Sequence, residues 1–425
     1  MKNLMVVYFG LFVVAPGTLA PAASPIRVDD ALQVSSGDWP WWRGPQRDGT
    51  ASADQSPPLS FSDSKNVIWK SAVPGRGHGS PTVVNDRVYL ASADEQSGAQ
   101  MVLCFDRADG HPLWQTVVHA SGGMRKNNKS TAASSTPACD GKRIFINFPN
   151  DGGLHTTALD IEGNILWQRR IGDYVMHQGY GASPALYREL VIVSADNKGG
   201  GSLAALNRIS GQTVWQRERP QKPNYPSPTL LRIDGKDQII MVGCDQVASF
   251  DPLTGETNWE VEGATTECVT STLTDGKLVY TSGGYPKNHM SAVAADGSGN
   301  LVWENDSRLY VPSLVIRDGY LYGVLDAGIA MCWEAKTGKE MWKSRLGGTF
   351  SSSPVLVGDN VYISNEDGDF FIFEASPAGF QQLAKNSLGK QVFATPSICG
   401  SRIYHRVAQL SDSGQRQEYL YCLGE

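Results

Sequence analysis

A four-residue interval from glycine to tryptophan recurs through this chain and constrains its fold more than any other feature. A seventh copy, Gly379 to Leu383, keeps the spacing but has leucine in place of the indole. The recurrence at roughly 40 to 50 residues is the period of a solenoid or a propeller. We expect each glycine to take a positive φ in a tight turn that precedes a tryptophan-bearing strand. The six complete copies are Gly110 to Trp114, Gly163 to Trp167, Gly211 to Trp215, Gly255 to Trp259, Gly299 to Trp303 and Gly338 to Trp342.

Each repeat also opens with a Ser/Thr-Pro pair or a near relative of it. A short strand, a turn such as Asp275-Gly276, a β-branched and aromatic second strand and a third strand ending in an acidic or amide residue follow. Four short antiparallel strands per repeat make a propeller blade. The opening pairs are Ser80-Pro81, Thr136-Pro137, Ser183-Pro184, Ser227-Pro228, Ser353-Pro354 and Thr395-Pro396, with Ser271-Thr272 and Pro312-Ser313 as imperfect copies.

The two ends of the chain complete one another in this count. The last repeat, from Thr395, has three strands and no tryptophan strand, whereas Trp69 lies in a strand that belongs to no repeat. We therefore predict a single all-β, eight-bladed propeller of four-stranded antiparallel blades. Asn66 to Ser71 is predicted to close the ring as the outer strand of the eighth blade, which leaves no unpaired inner edge.

The N-terminal residues have the features of an export signal. Lys2 precedes an apolar run from Leu4 to Ala15, and small residues lead to a predicted cleavage site near Ala22. No cysteine follows that site, which disfavours a lipid anchor. We expect a signal peptide (1–22), an arm and linker (23–65) and the propeller (66–425). The mature chain is predicted to be a monomer without a transmembrane segment, located in the periplasm or secreted.

The net charge argues against a nucleic-acid-binding protein, and the positions of the cysteines argue against a disulfide framework. A formal net charge of −6 gives no electrostatic footprint for nucleic acid. Seven cysteines in an exported chain suggest disulfides, but Cys104, Cys332 and Cys422 share one position of the repeat, and Cys139 and Cys399 share another. Equivalent positions of different blades lie far apart, so these are expected to be buried thiols. Pairing of Cys244 with Cys268 stays open.

The arm contains the segment DWPWWRGPQRDGT, from Asp38 to Thr50. Three tryptophans beside Arg43 and Arg47 are compatible with a carbohydrate or aromatic binding patch. We favour an arm whose indoles pack against the outside of the propeller.

A repeat with Ser/Thr-Pro, a Val-Tyr strand, an Ala-Leu-Asp strand and Thr-Gly-x-x-x-Trp resembles the pyrroloquinoline quinone (PQQ)-like β-propeller repeat. Thr254–Trp259 (TGETNW) and Thr337–Trp342 (TGKEMW) are its clearest instances. The resemblance covers roughly Asn66 to Glu425. That family contains eight-bladed quinoprotein dehydrogenases, and also propellers without a cofactor, such as the periplasmic scaffold of outer-membrane protein assembly.

The resemblance implies particular residues for the dehydrogenase branch, and this sequence lacks them. It has no adjacent cysteines for a vicinal disulfide and no Cys-x-x-Cys-His for covalent haem. Asn365–Asp369 looks like a calcium loop but lacks its length and terminal glutamate, so a hairpin turn is favoured. We expect no metal and no cofactor. A PQQ-dependent dehydrogenase with a degenerate site, using PQQ with calcium, is the alternative.

The long loops of the chain all belong to one face of the predicted propeller. They link successive blades, as in 122–135, 172–182 and 217–225, or link second to third strands, and such loops commonly carry binding residues. Nine side chains that precede a blade are predicted to line the channel mouth as a ligand-binding rim, with no catalytic set among them. They are Arg76, His78, Lys129, His177, Tyr180, Tyr225, Glu267, Arg308 and Tyr310.

The predicted function is that of a non-catalytic binding or scaffold module for a protein or another envelope ligand. A carbohydrate-binding propeller is a second alternative. Seven tryptophans are assigned to blade-to-blade docking because a buried indole covers a large apolar area in one orientation. They are Trp69, Trp114, Trp167, Trp215, Trp259, Trp303 and Trp342.

Overall fold

The computed structural model of the protein describes residue 32, residues 35–124, residue 127 and residues 129–425. The predicted signal peptide, residues 1–22, lies outside the described residues. Within them the chain forms thirty-two β-strands in eight four-stranded sheets, and each sheet is one antiparallel blade. The predicted eight-bladed propeller is confirmed.

Four consecutive strands build each of the first seven blades, and the eighth blade takes its outer strand from the start of the chain. The strands of blades 1 to 4 are β2 (Thr82–Val84), β3 (Arg87–Ala93), β4 (Gln100–Asp106) and β5 (Pro112–His119); β6 (Ala138–Cys139), β7 (Arg143–Asn150), β8 (Gly153–Asp160) and β9 (Ile165–Asp173); β10 (Ala185–Tyr187), β11 (Leu190–Ser194), β12 (Gly201–Asn207) and β13 (Thr213–Arg219); and β14 (Thr229–Ile233), β15 (Lys236–Gly243), β16 (Gln246–Phe250) and β17 (Thr257–Glu262).

The later blades repeat this arrangement. The strands of blades 5 to 8 are β18 (Leu273–Thr274), β19 (Leu278–Gly283), β20 (His289–Ala294) and β21 (Leu301–Asn305); β22 (Val315–Arg317), β23 (Tyr320–Val324), β24 (Ile329–Glu334) and β25 (Glu340–Arg345); β26 (Val355–Val357), β27 (Asn360–Ser364), β28 (Asp369–Glu374) and β29 (Gln382–Ser387); and β30 (Ser397–Cys399), β31 (Arg402–Leu410), β32 (Arg416–Leu423) and β1 (Val67–Val73).

Closure of the ring follows the predicted route. Strand β1 pairs antiparallel with β32, and Trp69 lies opposite Cys422 in that ladder. The first and last segments of the fold therefore share one sheet, which removes the edge that an open ring would expose.

The hydrophobic core lies mainly between neighbouring blades. Val242 and Val247 of blade 4, for example, form one buried cluster with Val279 and Val293 of blade 5. The six glycines of the glycine-to-tryptophan repeat all have positive φ, between 68° and 89°. The indole N–H of six tryptophans donates to a backbone carbonyl of the next blade's turn, at 2.8 to 3.2 Å. Indoles therefore link consecutive blades around most of the ring.

Two blades depart from this docking pattern. Trp259 donates instead to Oε1 of Gln238 in its own blade, and Gly299 makes no close contact with it. In blade 7 the assignment of Leu383 to the tryptophan position was wrong. Ala384 lies opposite Ile372, as Trp342 lies opposite Cys332 in blade 6, because the turn before β29 is longer than in blade 6.

The Ser/Thr residues that open the repeats form a ring of hydroxyl groups around the channel, here called the hydroxyl belt. In six of the eight blade junctions, the backbone N–H of one member donates to the hydroxyl oxygen of the next at 2.8 to 3.0 Å. Ser271 and Ser313 occupy belt positions although their sequence motifs are imperfect. The hydroxyl, rather than the proline, is therefore the shared element. The belt consists of Ser80, Thr136, Ser183, Ser227, Ser271, Ser313, Ser353 and Thr395.

All seven cysteines are buried and free. Cys104, Cys332 and Cys422 each pair with a second-strand tyrosine, in equivalent positions of blades 1, 6 and 8.

Candidate functional site: the plugged channel and its mouth

The two faces of the propeller carry different connections between strands. The face formed by the connections between blades and between second and third strands is called the mouth, and the opposite face is called the turn face. The N-terminal arm approaches from the turn face, where Oδ1 of Asp38 accepts hydrogen bonds from Arg107 and from the backbone N–H of Asn85. It leaves at the same face, where the backbone N–H of Ser56 donates to Oγ of Ser401.

Between these points, residues 39–51 fill the central channel, and we call this segment the plug. Trp39 pairs with Val83 of blade 1, the Pro40 carbonyl accepts the N–H of Cys139 of blade 2, and Thr50 bridges to Leu356 of blade 7. A segment that touches inner strands this far apart around the ring must lie on its axis. The expectation that the indoles pack outside the propeller was therefore wrong.

Backbone carbonyls of the ring hold the charged side chains of the plug. The Arg43 guanidinium, 1% exposed, donates to the carbonyl oxygens of Leu314 at 2.6 Å and Pro354 at 2.7 Å. Arg47 donates to the Leu186 carbonyl at 2.7 Å and stacks over the ring of Trp41. These contacts reach blades 3, 6 and 7.

Two indoles of the plug are buried, and the third donates a hydrogen bond to the ring of blades. Trp39 and Trp41 are 2% and 4% exposed, and the Trp42 indole N–H donates to the belt hydroxyl of Ser271 at 2.8 Å. The three indoles therefore do not form an exposed aromatic patch.

Four of the nine predicted rim residues meet at one carboxylate in the mouth. Oε1 of Glu267 lies 3.2 Å from Nε2 of His177, and Oε2 accepts hydrogen bonds from the hydroxyls of Tyr225 at 3.3 Å and Tyr310 at 3.2 Å. We call these four residues the Glu267 cluster. They come from the blade 2–3, 3–4, 4–5 and 5–6 connections, so the cluster ties four separate loops together.

The carboxylate of the Glu267 cluster is nearly inaccessible, whereas neighbouring loop residues are exposed. Burial, and then the nearby Glu267 charge, raise the pKa of Tyr225 and Tyr310, so both hydroxyls stay protonated donors. The backbone N–H of Glu267 donates to the carbonyl of Tyr285, whose side chain is 55% exposed. Val175, in the loop that carries His177, is 43% exposed. One exposed aromatic and one exposed apolar side chain therefore lie in loops that adjoin the Glu267 cluster.

Three other predicted rim residues lie on the opposite side of the mouth. Arg76 pairs with Glu95 at 3.2 Å, and the His78 ring stacks on Phe393 with 4.3 Å between ring centroids. Nζ of Lys129 lies 2.9 Å from Oε1 of Glu366, so the blade 1–2 loop reaches to blade 7.

The structure separates the remaining two from any shared site. Tyr180 is buried between blades 2 and 3, where its hydroxyl donates to the Ser194 carbonyl at 3.0 Å. Arg308 is exposed beside Asp326, whose pKa is raised because the carboxyl is buried, with the Arg308 charge acting in the opposite direction.

Comparison with known proteins places this fold in a family. The family model described as outer membrane protein assembly factor BamB matches residues 44–175, 99–344 and 286–379. These matches together run from residue 44 to residue 379, well over half of the chain. The chain belongs to the BamB family.

One curated relative agrees with this assignment at lower coverage. Outer membrane protein assembly factor BamB of Moranella endobia (strain PCIT) is 27% identical over 230 residues, which are 52% of this chain and 53% of that protein. The chain thus aligns with about half the length of this curated relative.

Three solved structures of similar shape come from two kinds of protein. A europium-containing methanol dehydrogenase has a TM-score of 0.66 at 12% identity, over 93% of this chain and 99% of that one. BamB from Moraxella catarrhalis has a TM-score of 0.57 at 16% identity, over 83% and 96%. Quinohemoprotein alcohol dehydrogenase from Comamonas testosteroni has 0.64 at 13%, over 94% and 82%. At these identities the likeness shows the fold alone.

The alternative of a quinone with calcium needs a metal site. Calcium takes six to eight oxygen ligands. The described residues contain no group of three or more His, Cys, Asp or Glu side chains that could hold a metal. We derive no chemistry through a quinone and calcium pair.

In the part of the chain that the structure describes, no helix has the length and apolar character to cross a membrane.

Sequence reasoning missed the partners of the rim residues. Arg406 and Glu418 form a buried ion pair at 2.5 Å in the last two strands, and Arg416 also pairs with Glu418. Charged side chains among the apolar and aromatic residues of β31 and β32 are the signal that could have revealed them. Glu366 follows β27, and nothing in its sequence context points to Lys129.

Proposed function

We propose that this BamB-family propeller is an exported, non-catalytic scaffold that binds a protein partner during outer-membrane protein assembly. Membership of the family supports the partner class, since its relatives carry the name of an outer membrane protein assembly factor. The binding surface we assign is the mouth. The proposed cleavable signal, residues 1–22, would deliver the chain to the periplasm.

The single observation that carries this assignment is the plug. Because residues 39–51 occupy the channel, a ligand at the mouth meets a broad surface of loops instead of an enclosed cavity. Small molecules bind in concave sites that bury most of their surface, whereas protein partners use larger areas with aromatic and arginine anchors. Tyr285 and Arg308 supply such side chains at the mouth.

The test uses two apolar residues of similar exposure on opposite faces. Val175, 43% exposed, lies at the mouth, and Leu253, 40% exposed, lies in a turn of blade 4 on the turn face. Cells lacking the gene should lose outer-membrane β-barrel proteins, measured by quantitative proteomics of the outer-membrane fraction. Wild type and Leu253→Asp should restore them, whereas Val175→Asp with Tyr285→Ala should not. Normal outer-membrane protein levels in the deletion strain would refute the proposal.

A second measurement addresses the quinoprotein alternative. Calorimetric titration of the purified mature protein with PQQ and calcium should give no saturable heat and no thermal shift. Stoichiometric binding at micromolar concentration would instead favour a cofactor-dependent oxidoreductase, and a dye-linked assay with alcohols and sugars would follow.

A further inference from the structure

A group of basic side chains lies at the mouth where blade 8 meets blade 1, and we call it the basic pocket. It consists of His78, Arg76, Arg406 and Arg416. Arg406 is buried and donates to the Ala91 carbonyl at 2.5 Å and to Oγ of Ser92 at 3.1 Å. Its guanidinium leaves no room for a side chain at residue 77, where a β-carbon would lie 2.4 Å from Nη1. His78 therefore directly follows a residue that packs against the Arg406 guanidinium.

Positive charge exceeds negative charge in the basic pocket. Arg406 and Arg416 share the single carboxylate of Glu418, and Arg76 pairs with Glu95. Among the described residues, these three guanidinium groups therefore pair with two carboxylates. Lys129 and Glu366, at the edge of the pocket, neutralise one another. Arg406 and Arg416 together carry one more positive charge than their shared carboxylate offsets.

His78 is the group whose environment is incomplete. Its Nε2 atom is buried and has no hydrogen-bond partner among the described residues. Burial first, and then the charges of Arg76, Arg406 and Arg416, hold its pKa well below the ordinary value, while a hydrogen bond to the Lys129 backbone acts in the opposite direction. At neutral pH the ring is therefore an uncharged, unpartnered acceptor among cations.

We propose that the basic pocket binds a carboxylate group beside Nε2 of His78. The inference deepens the proposed function, on which it rests for the source of that carboxylate, an acidic side chain of the protein partner. A bound carboxylate would offset the guanidinium charges, so that His78 takes a proton from solvent and Nε2–H donates to the ligand. Charge-assisted hydrogen bonds of this kind are about twice as strong as neutral ones.

The direct test follows His78 in the full mature protein by NMR of carbon-labelled histidine, with His78→Gln identifying its signal. Sodium citrate replaces sodium chloride at constant ionic strength. The pKa of His78 should rise with citrate in a saturable manner. Arg416→Gln should weaken citrate binding roughly tenfold. Arg232→Gln, on an arginine that is 69% exposed and lies on the turn face, should leave it unchanged. A pKa that does not respond to citrate would overturn the proposal.

A peptide pair tests the chemical source of the carboxylate. A blocked peptide that contains glutamate should compete with citrate, and the same peptide with glutamine should not. Equal competition by the two peptides would contradict carboxylate recognition. If Arg416→Gln shows no thermal unfolding transition, the variant is not folded, and His78→Gln replaces it in the comparison. His78→Gln should bind the glutamate peptide more weakly than wild type.

Failure of this inference is distinguishable from failure of the proposed function. Citrate binding is measured on the purified protein and does not depend on outer-membrane assembly. A strain that carries Arg416→Gln should show reduced outer-membrane proteins if the pocket contacts the partner. Citrate binding together with normal outer-membrane proteins in the deletion strain would refute the assembly role and leave the carboxylate site standing.

Discussion

A β-carbon built on Gly211 would lie 2.6 Å from Cδ2 of Trp167, so the turn of blade 3 accommodates the indole of blade 2 only because residue 211 has no side chain. Gly211 also has a φ of 68°, which a side chain disfavours in any surroundings. In five repeats the glycine is thus subject to two constraints, one from its own turn and one from the indole of the blade before it. These glycines are Gly110, Gly163, Gly211, Gly255 and Gly338.

Gly235 offers a matched control for separating these constraints, because its φ is 73° and a β-carbon there would meet nothing within 4 Å. We expect Gly235→Ala to cost about 1 to 2 kcal/mol from backbone strain alone. Gly211→Ala should cost about 1 to 3 kcal/mol more from the clash with the indole. Chemical denaturation measures both values, and in a Trp167→Ala background the extra cost should vanish. Equal costs for the two glycines would show that the indole does not constrain residue 211.

The plug should contribute to the stability of the whole ring. Arg43→Ala leaves the buried carbonyls of Leu314 and Pro354 without donors, at about 1 to 3 kcal/mol for each group. We expect a fall of about 2 to 6 kcal/mol in the free energy of unfolding. The control is Arg232→Ala, whose side chain is 69% exposed, with an expected change within about 0.5 kcal/mol. An unchanged melting temperature for Arg43→Ala would mean that the plug adds no stability.

His405 should make the protein sensitive to acid. Its ring is fully buried against Phe370, neither ring nitrogen has a partner among the described residues, and burial lowers its pKa to about 3. Between pH 6.5 and 3 the unfolded chain binds a proton that the folded chain does not. Stability is therefore retained above about pH 6.5 and falls as the pH drops, by up to about 1.4 kcal/mol per pH unit.

The variant His405→Leu removes this titration. We expect it to exceed the wild type in stability by about 2 kcal/mol at pH 5, while the proton-linked advantage disappears at pH 7.5. His111→Leu, at an exposed position, is the control and should follow the wild-type profile. Urea unfolding at several pH values gives the comparison. A His405→Leu profile parallel to that of the wild type would disprove the assignment.

The thiols should be inert in the folded protein. All seven are buried and free, and burial raises the pKa of Cys422 to about 11 and that of Cys104 to about 12. Titration with a thiol reagent at pH 8 should find almost no reactive cysteine in the native protein. After denaturation without reductant it should find seven. Five would reveal one disulfide, for which Cys244 and Cys268 are the first candidates to map.

The repeat pattern was sufficient to predict the architecture from the sequence. The tryptophans of seven blades and the Ser/Thr residues that open the blades make similar local contacts many times, so a single pattern predicted eight blades. The surplus strand at Trp69 identified the closure of the ring. The pattern failed where one copy was weak, because the longer turn before β29 moves Ala384 into the position expected for Leu383.

The sequence predicted which face most of the rim residues lie on, but it did not predict which residues they contact. His177, Tyr225, Glu267 and Tyr310 were named because each precedes a blade, and the structure brings these four together at one carboxylate. Tyr180 satisfied the same rule but is buried between blades. Position in the repeat determines the face on which a residue lies, whereas loop conformation determines what it touches.

The sequence by itself determined the number of blades, the strand order and the closure of this ring, because those features depend on local periodicity and on apolar burial. Only the tertiary structure decided that the N-terminal arm fills the channel and that basic residues from blades 8 and 1 meet at its mouth. The plug is held mainly by backbone carbonyls, such as those of Leu314 and Pro354. Every residue has a carbonyl, so no side-chain pattern marks in advance which ones an arginine will find.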